Sequence, residues 1–118
     1  MPPSDRLDSL RSRLADFAAE RDWDQFHNPK NLAMALAGEV GELLEHFQWL
    51  TPEQALSLPA ATRDEVALEA ADVLLYLVRL CDKLDIDLVA AADRKLALNA
   101  LKYPVDKAHG KMTKYDRL

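Results

Sequence analysis

Apolar positions along this chain recur at spacings of three and four, the period of a helix with one buried stripe. Leu7, Leu10, Leu14 and Phe17 mark a first helix from Ser4 or Asp5 to about Arg21. The stripe then stops. Asp22-Trp23-Asp24-Gln25-Phe26-His27-Asn28 has no helical period and reads as a loop, unusually rich in aromatic and hydrogen-bonding side chains. Asn28 followed by Pro29 is a start signal, an N-cap with proline at the first helical position. The second helix is expected to reach Leu50. Thr51 and Gln54 can form a capping box opening a short helix that ends near Leu58 and Pro59. Thr62 to Glu65 offers another such box for a third long helix, whose seam runs Val66, Ala70, Val73, Leu77, Leu80, Leu84. Asp85 or Asp87 caps a fourth, ended by Pro104. Short connections predict antiparallel neighbours.

Composition supports the same class. The 118 residues include 21 Leu and 18 Ala against only 10 β-branched residues. Leucine and alanine favour helices, β-branched residues favour strands. The expectation is an all-α, four-helix bundle-like fold with a short extra helix, as a single domain over 1–118 with a basic tail at 104–118. No apolar run approaches the roughly 18 residues of a membrane span, and the N-terminus lacks a signal-peptide core. A lone cysteine, Cys81, excludes an internal disulfide and fits a reducing cytoplasm. The formal net charge of -5 disfavours a nucleic acid polymer as partner.

Two helices break their own seams with acids. The second helix would place Leu32, Leu36, position 39, Leu43, position 46 and Leu50 in its seam, and positions 39 and 46 are Glu39 and His46. Glu42 lies one turn beyond Glu39 on the same face. The third long helix repeats the spacing with Glu69 and Asp72, flanked by Glu65 and Tyr76. One such pair is ordinarily a solvated face. Two pairs on packed helices would bring four carboxylates together, which repel unless divalent cations compensate them. All-oxygen donors suit Mg²⁺, with Mn²⁺ as a substitute. A di-iron site would need Glu-x-x-His pairs on two helices, and the third long helix has no histidine. Gly41, between the first two acids, costs about 1 kcal/mol relative to alanine in a helix, which suggests close approach by another group.

The ExxE of Glu39 and Glu42 followed by the ExxD of Glu69 and Asp72 resembles the signature of the MazG-like, all-α nucleoside triphosphate pyrophosphohydrolases. Residues 17–27, Asn31-Leu32, Phe47-Gln48-Trp49, Asp72-Val73-Leu74, Tyr76-Leu77 and Tyr103-Pro104 resemble its dCTP pyrophosphatase branch. The resemblance implies hydrolysis of a (deoxy)nucleoside triphosphate, dCTP or a modified dCTP, to monophosphate and pyrophosphate. It implies Mg²⁺ held by Glu39, Glu42, Glu69 and Asp72, with Glu42, or else Glu39, activating water. It further implies nucleotide binding by Trp23, Asp24, Gln25, Phe26, His27, Trp49 and Tyr76, and a homotetramer built as a dimer of dimers. Lys95, Asn99 and Lys102 share a face of the fourth helix and are candidate phosphate contacts, or simply a solvated face. The animal enzymes of that branch carry a histidine where Leu14 stands, which weakens the implication of strict cytosine preference. The alternatives are a broader NTP or dUTP pyrophosphohydrolase, or a non-catalytic helical interaction module with solvated acids.

Overall fold

The computed structural model describes the backbone of residues 3–118 and the side chains of residues 6–118. The described residues form helices and no strand: α1 (Pro3–Glu20), a 3₁₀ turn (Asp24–Phe26), α2 (Pro29–Glu45), α3 (Pro52–Ala55), α4 (Ala60–Lys83), α5 (Leu88–Lys102), α6 (Val105–Ala108) and a second 3₁₀ turn (Tyr115–Arg117). The all-α expectation holds. None of these helices is long and apolar enough to cross a membrane. The chain divides into two compact units, Met1–Ile86 and Asp87–Leu118.

In the first unit α2 packs against α4, and α1 packs on α4 rather than on α2. The antiparallel α1–α2 pairing expected from their short connection does not form. Residues 21–28 are instead tied to α4 through Asp24 and His27. The predicted α2 seam is observed: Leu32 is buried, and Leu36, Glu39, Leu43, His46 and Leu50 are all half-buried. Glu39 lies by Glu69 and Asp72, whereas His46 Nδ1 lies 3.9 Å from Glu65. Later residues of α2 thus meet earlier residues of α4, so these two helices run antiparallel. Ala18, Leu32, Val78 and Cys81 form the small buried apolar core.

The caps follow from local chemistry. Asn28 Oδ1 accepts the Asn31 N–H at 2.9 Å with Pro29 in the first turn. Thr51 and Gln54 form the reciprocal capping box. In the second unit Asp87, not Asp85, caps α5 by accepting from the Ala90 N–H at 3.0 Å.

Two boundaries differ from expectation. α2 stops at Glu45, because residues 46–50 tighten into three-residue turns, with Phe47 N–H on Leu44 O and Leu50 N–H on Phe47 O, both at 2.9 Å. α4 starts at Ala60: the Pro59 carbonyl already accepts the Arg63 N–H at 2.9 Å, so Thr62 lies inside the helix and caps nothing. Both α1 and α4 end on an aspartate in the left-handed region, Asp22 (φ 56) and Asp85 (φ 55). At each end the next N–H reaches back five residues, Trp23 to Ala18 O at 2.9 Å and Ile86 to Cys81 O at 2.8 Å. This is the paired-bond stop usually built on glycine, in a conformation that aspartate tolerates better than most side chains.

Candidate active site

Seam register brings the acids together. One carboxylate oxygen from each of Glu39, Glu69 and Asp72 lies within 4.8 Å of the others, with Glu39 and Glu69 half-buried and Asp72 exposed. Glu39 Oε2 and Glu69 Oε1 are shut off from solvent and have no hydrogen-bond partner. The facing Glu39 carboxyl, loss of solvent, and the neighbouring Glu42 together push the Glu69 carboxyl up to about 7. Buried oxygens without partners are rare in folded proteins and ask for an explanation. Here the donors are all oxygen, negatively charged and convergent, so they fit a hard divalent cation. Glu42 is exposed and outside this set of three, though close enough to perturb Glu69.

A cleft of about 270 Å³ opens beside the acids, lined by Leu14, Phe17 and Ala18 of α1, by Trp23 and His27, and by Asp72, Leu75, Tyr76 and Arg79 of α4. Asp72 belongs to both the acid set and the cleft wall. Phe17 and Trp23 meet edge to face at 5.8 Å, and the guanidinium of Arg21, the residue after α1, stacks 3.6 Å from the Phe17 ring centre. The cleft therefore combines aromatic and aliphatic surface with the carboxylate of Asp72.

Arg79, which the seam analysis did not single out, organises the cleft-side loop. It is 6% exposed. Its Nε donates to His27 Nδ1 at 3.1 Å, Nη2 to Asp24 Oδ1 at 2.5 Å and Nη1 to Asp82 Oδ2 at 3.4 Å. Lys83 also donates to Asp24, and Arg11 of α1 reaches Asp82 Oδ1 at 3.4 Å. The Lys83 hydrogen bond, followed by the charges of Lys83 and Arg79, holds the Asp24 carboxyl below its ordinary value against the opposing effect of burial. Burial, then the Arg79 charge, lowers the His27 pKa. Arg79 was readable in principle: it stands seven residues after Asp72, two helical turns along the same face.

The other candidates distribute unevenly. Trp23, His27 and Tyr76 reach the cleft; Asp24 is spent on Arg79 and Lys83. Gln25 donates to the Asp22 carbonyl and carboxylate, and Phe26 is 59% exposed, its carbonyl accepting from Asn31 Nδ2. Neither is among the residues that line the cleft. Trp49 projects from the turn after α2, 86% exposed. An added Cβ at Gly41 would meet nothing within 4 Å, so no group of this chain makes the close approach its glycine suggested. In the second unit Lys95 is exposed on α5, the Asn99 carbonyl accepts the Tyr103 N–H at 2.8 Å, and Lys102 Nζ sits 4.8 Å from the Tyr115 ring centre.

This geometry has known relatives. The sequence likeness is broad: dCTP pyrophosphatase 1 of Homo sapiens is 44% identical over 118 residues, covering 98% of this chain and 69% of that protein. The Bos taurus protein of the same name is 45% identical over 114 residues, covering 95% and 68%. The crystal structure of a pyrophosphatase from Archaeoglobus fulgidus matches with a TM-score of 0.79 at 40% identity, over 84% of this chain and 93% of that one. Residues 35–118, which hold all four seam acids, match the model of the MazG-like family. With its helical fold, its paired acids and these relatives, the chain belongs to the MazG-like family.

Proposed function

We propose that this protein hydrolyses dCTP, or a base-modified dCTP, to the monophosphate and pyrophosphate. The observation that carries this reading is the double membership of Asp72, which joins a convergent acid set to an aromatic cleft of nucleobase size. The relatives named dCTP pyrophosphatase 1 support the choice of substrate.

Glu39, Glu69 and Asp72 would hold Mg²⁺, which when bound offsets charge on the triphosphate and on the departing pyrophosphate. Glu42 stands beside this set without belonging to it, so its carboxylate is free to orient the attacking water and take its proton. Water oxygen bonds to the α-phosphorus as the bond to the bridging oxygen breaks, and pyrophosphate leaves with that electron pair. Trp23 and Phe17 offer flat surfaces against which a base can stack. Tyr76, one turn past Asp72, can hydrogen-bond the sugar or a phosphate.

A homo-oligomer, a dimer of dimers, belongs to the same proposal. Ala33, Ala37, Val40 and Leu44 form a second apolar stripe on α2 that is exposed, with Val40 47% and Leu44 57% accessible. An apolar stripe rimmed by polar residues is a usual association surface.

The test is direct. Purified protein with Mg²⁺ and a panel of the four dNTPs and dUTP is expected to release pyrophosphate, fastest from dCTP. Orthophosphate as the product, or no release from any nucleotide, would overturn the reading.

A further inference from the structure

Arg79 is the only buried charged residue among the described residues. A guanidinium can only donate, and it keeps its proton at any ordinary pH. Its Nε–H points at His27 Nδ1 across 3.1 Å. That nitrogen must therefore carry the lone pair. A neutral imidazole with a lone pair on Nδ1 carries its proton on Nε2. An imidazolium would set N–H against N–H and a second positive charge beside Arg79.

The guanidinium itself is held on three sides. Asp24 fixes Nη2 from the loop, and Asp82 fixes Nη1 from α4. Asp82 is in turn gripped by Arg11 of α1, and Asp24 by Lys83. Rotating the fork to release His27 would break several charge-assisted bonds at once. His27 meanwhile forms part of the cleft wall with Trp23, Asp72 and Tyr76.

We propose that Arg79 is a positioning residue: it fixes His27 as the Nε2–H tautomer, so that His27 offers a hydrogen-bond donor to an acceptor atom of the nucleoside and disfavours ligands that present a donor there. This rests on the reading of the cleft as the nucleotide site. The lowered pKa of His27 agrees with a neutral ring.

The tautomer is measurable without any activity. In the full-length chain labelled with ¹⁵N-histidine, long-range proton–nitrogen spectra at neutral pH are expected to show His27 protonated on Nε2 alone. Protonation on Nδ1, or a mixture of the two tautomers, overturns the proposal even if the enzyme is active. An inactive wild type would instead sink the functional reading and leave the tautomer result standing.

A double-mutant cycle on KM for dCTP tests whether Arg79 acts through His27. Arg79→Met is expected to raise KM about three- to tenfold, the worth of one hydrogen bond, with a smaller change in kcat. In a His27→Ala background the same substitution is expected to have almost no further effect on KM. An equal factor in both backgrounds overturns the proposal. Should Arg79→Met not fold, Arg79→Lys, which keeps the charge but not the fork, takes its place in the cycle.

Discussion

Glu39 of α2 and Glu69 of α4 face each other across the helix interface, each with one oxygen closed to water and unpartnered. A folded chain tolerates two such oxygens where something else satisfies them, and in the proposed cation site the third acid, Asp72, would supply the remaining corner. Stability should therefore respond to metal. Saturating Mg²⁺ at a hundred times its Kd is expected to stabilise the fold by about 2.7 kcal/mol. Glu39→Gln is expected to lose that response while the metal-free protein is no less stable, since a like-charge contact is relieved. Thermal melts with Mg²⁺ and with chelator check both; a Glu39→Gln protein that still responds in full to Mg²⁺ would refute the site.

The same acids set a pH signature. Glu69 titrates at about 7 in the fold against 4.5 for the unreacted group, so the folded state holds the extra proton between those values. Metal-free protein should gain stability from this group as pH falls from above 7 toward 4.5. His27 works in the opposite sense: its lowered pKa means the unfolded chain binds the proton first, so its contribution is lost as pH falls below 6.5. Glu69→Gln separates the two. In that variant the acid-side gain should vanish and the His27 loss remain, read from urea melts at pH 8 and pH 5.5 in chelator.

Filling the cleft should disturb the nucleotide and not the cation. Leu14 lines the cleft from α1 but is not among the acids. Leu14→Trp is expected to raise KM for dCTP about tenfold, the factor that corresponds to 1.4 kcal/mol of lost binding. The Mg²⁺-induced shift in melting temperature should stay as in wild type. Steady-state kinetics beside melts would show it; an unchanged KM would remove the cleft from the substrate path.

The exposed stripe of α2 predicts association. Leu44→Glu, at a position 57% exposed, should leave an isolated chain folded but place a charge in the interface between copies. Light scattering is expected to show smaller particles than wild type, with a helical circular dichroism spectrum retained. Identical particle mass in both proteins would count against this face.

Much of this was legible in the residue pattern because the determining interactions are local or periodic. The α2 seam, with Glu39 and His46 standing in apolar positions, is a matter of register within one helix, and register survives folding. Asn28, Thr51 and Asp87 cap their helices through contacts three residues away. What escaped lies in longer or subtler relations. Arg79 finds His27 and Asp24 at separations of 52 and 55 residues, which no helical period can show. Asp22 and Asp85 end their helices where no glycine advertises the stop. Thr62 to Glu65 offers a start signal, yet α4 already begins at Ala60, behind Pro59.

The Arg79 junction also constrains how this sequence can change over generations. If Asp24 were lost first, a buried cation would remain beside Lys83 with Asp82 as its nearest acidic partner. If Arg79 were lost first, Asp24, whose side chain is 58% accessible, would keep its pairing with Lys83 and water for the rest. The two substitutions are thus unequal as first steps, because a buried charge that loses its nearer partner is more damaging than an exposed one that loses a partner to water. Lineages drifting away from this loop arrangement should have shed the arginine before the aspartate, and a reconstructed ancestor with the reverse order should fold poorly.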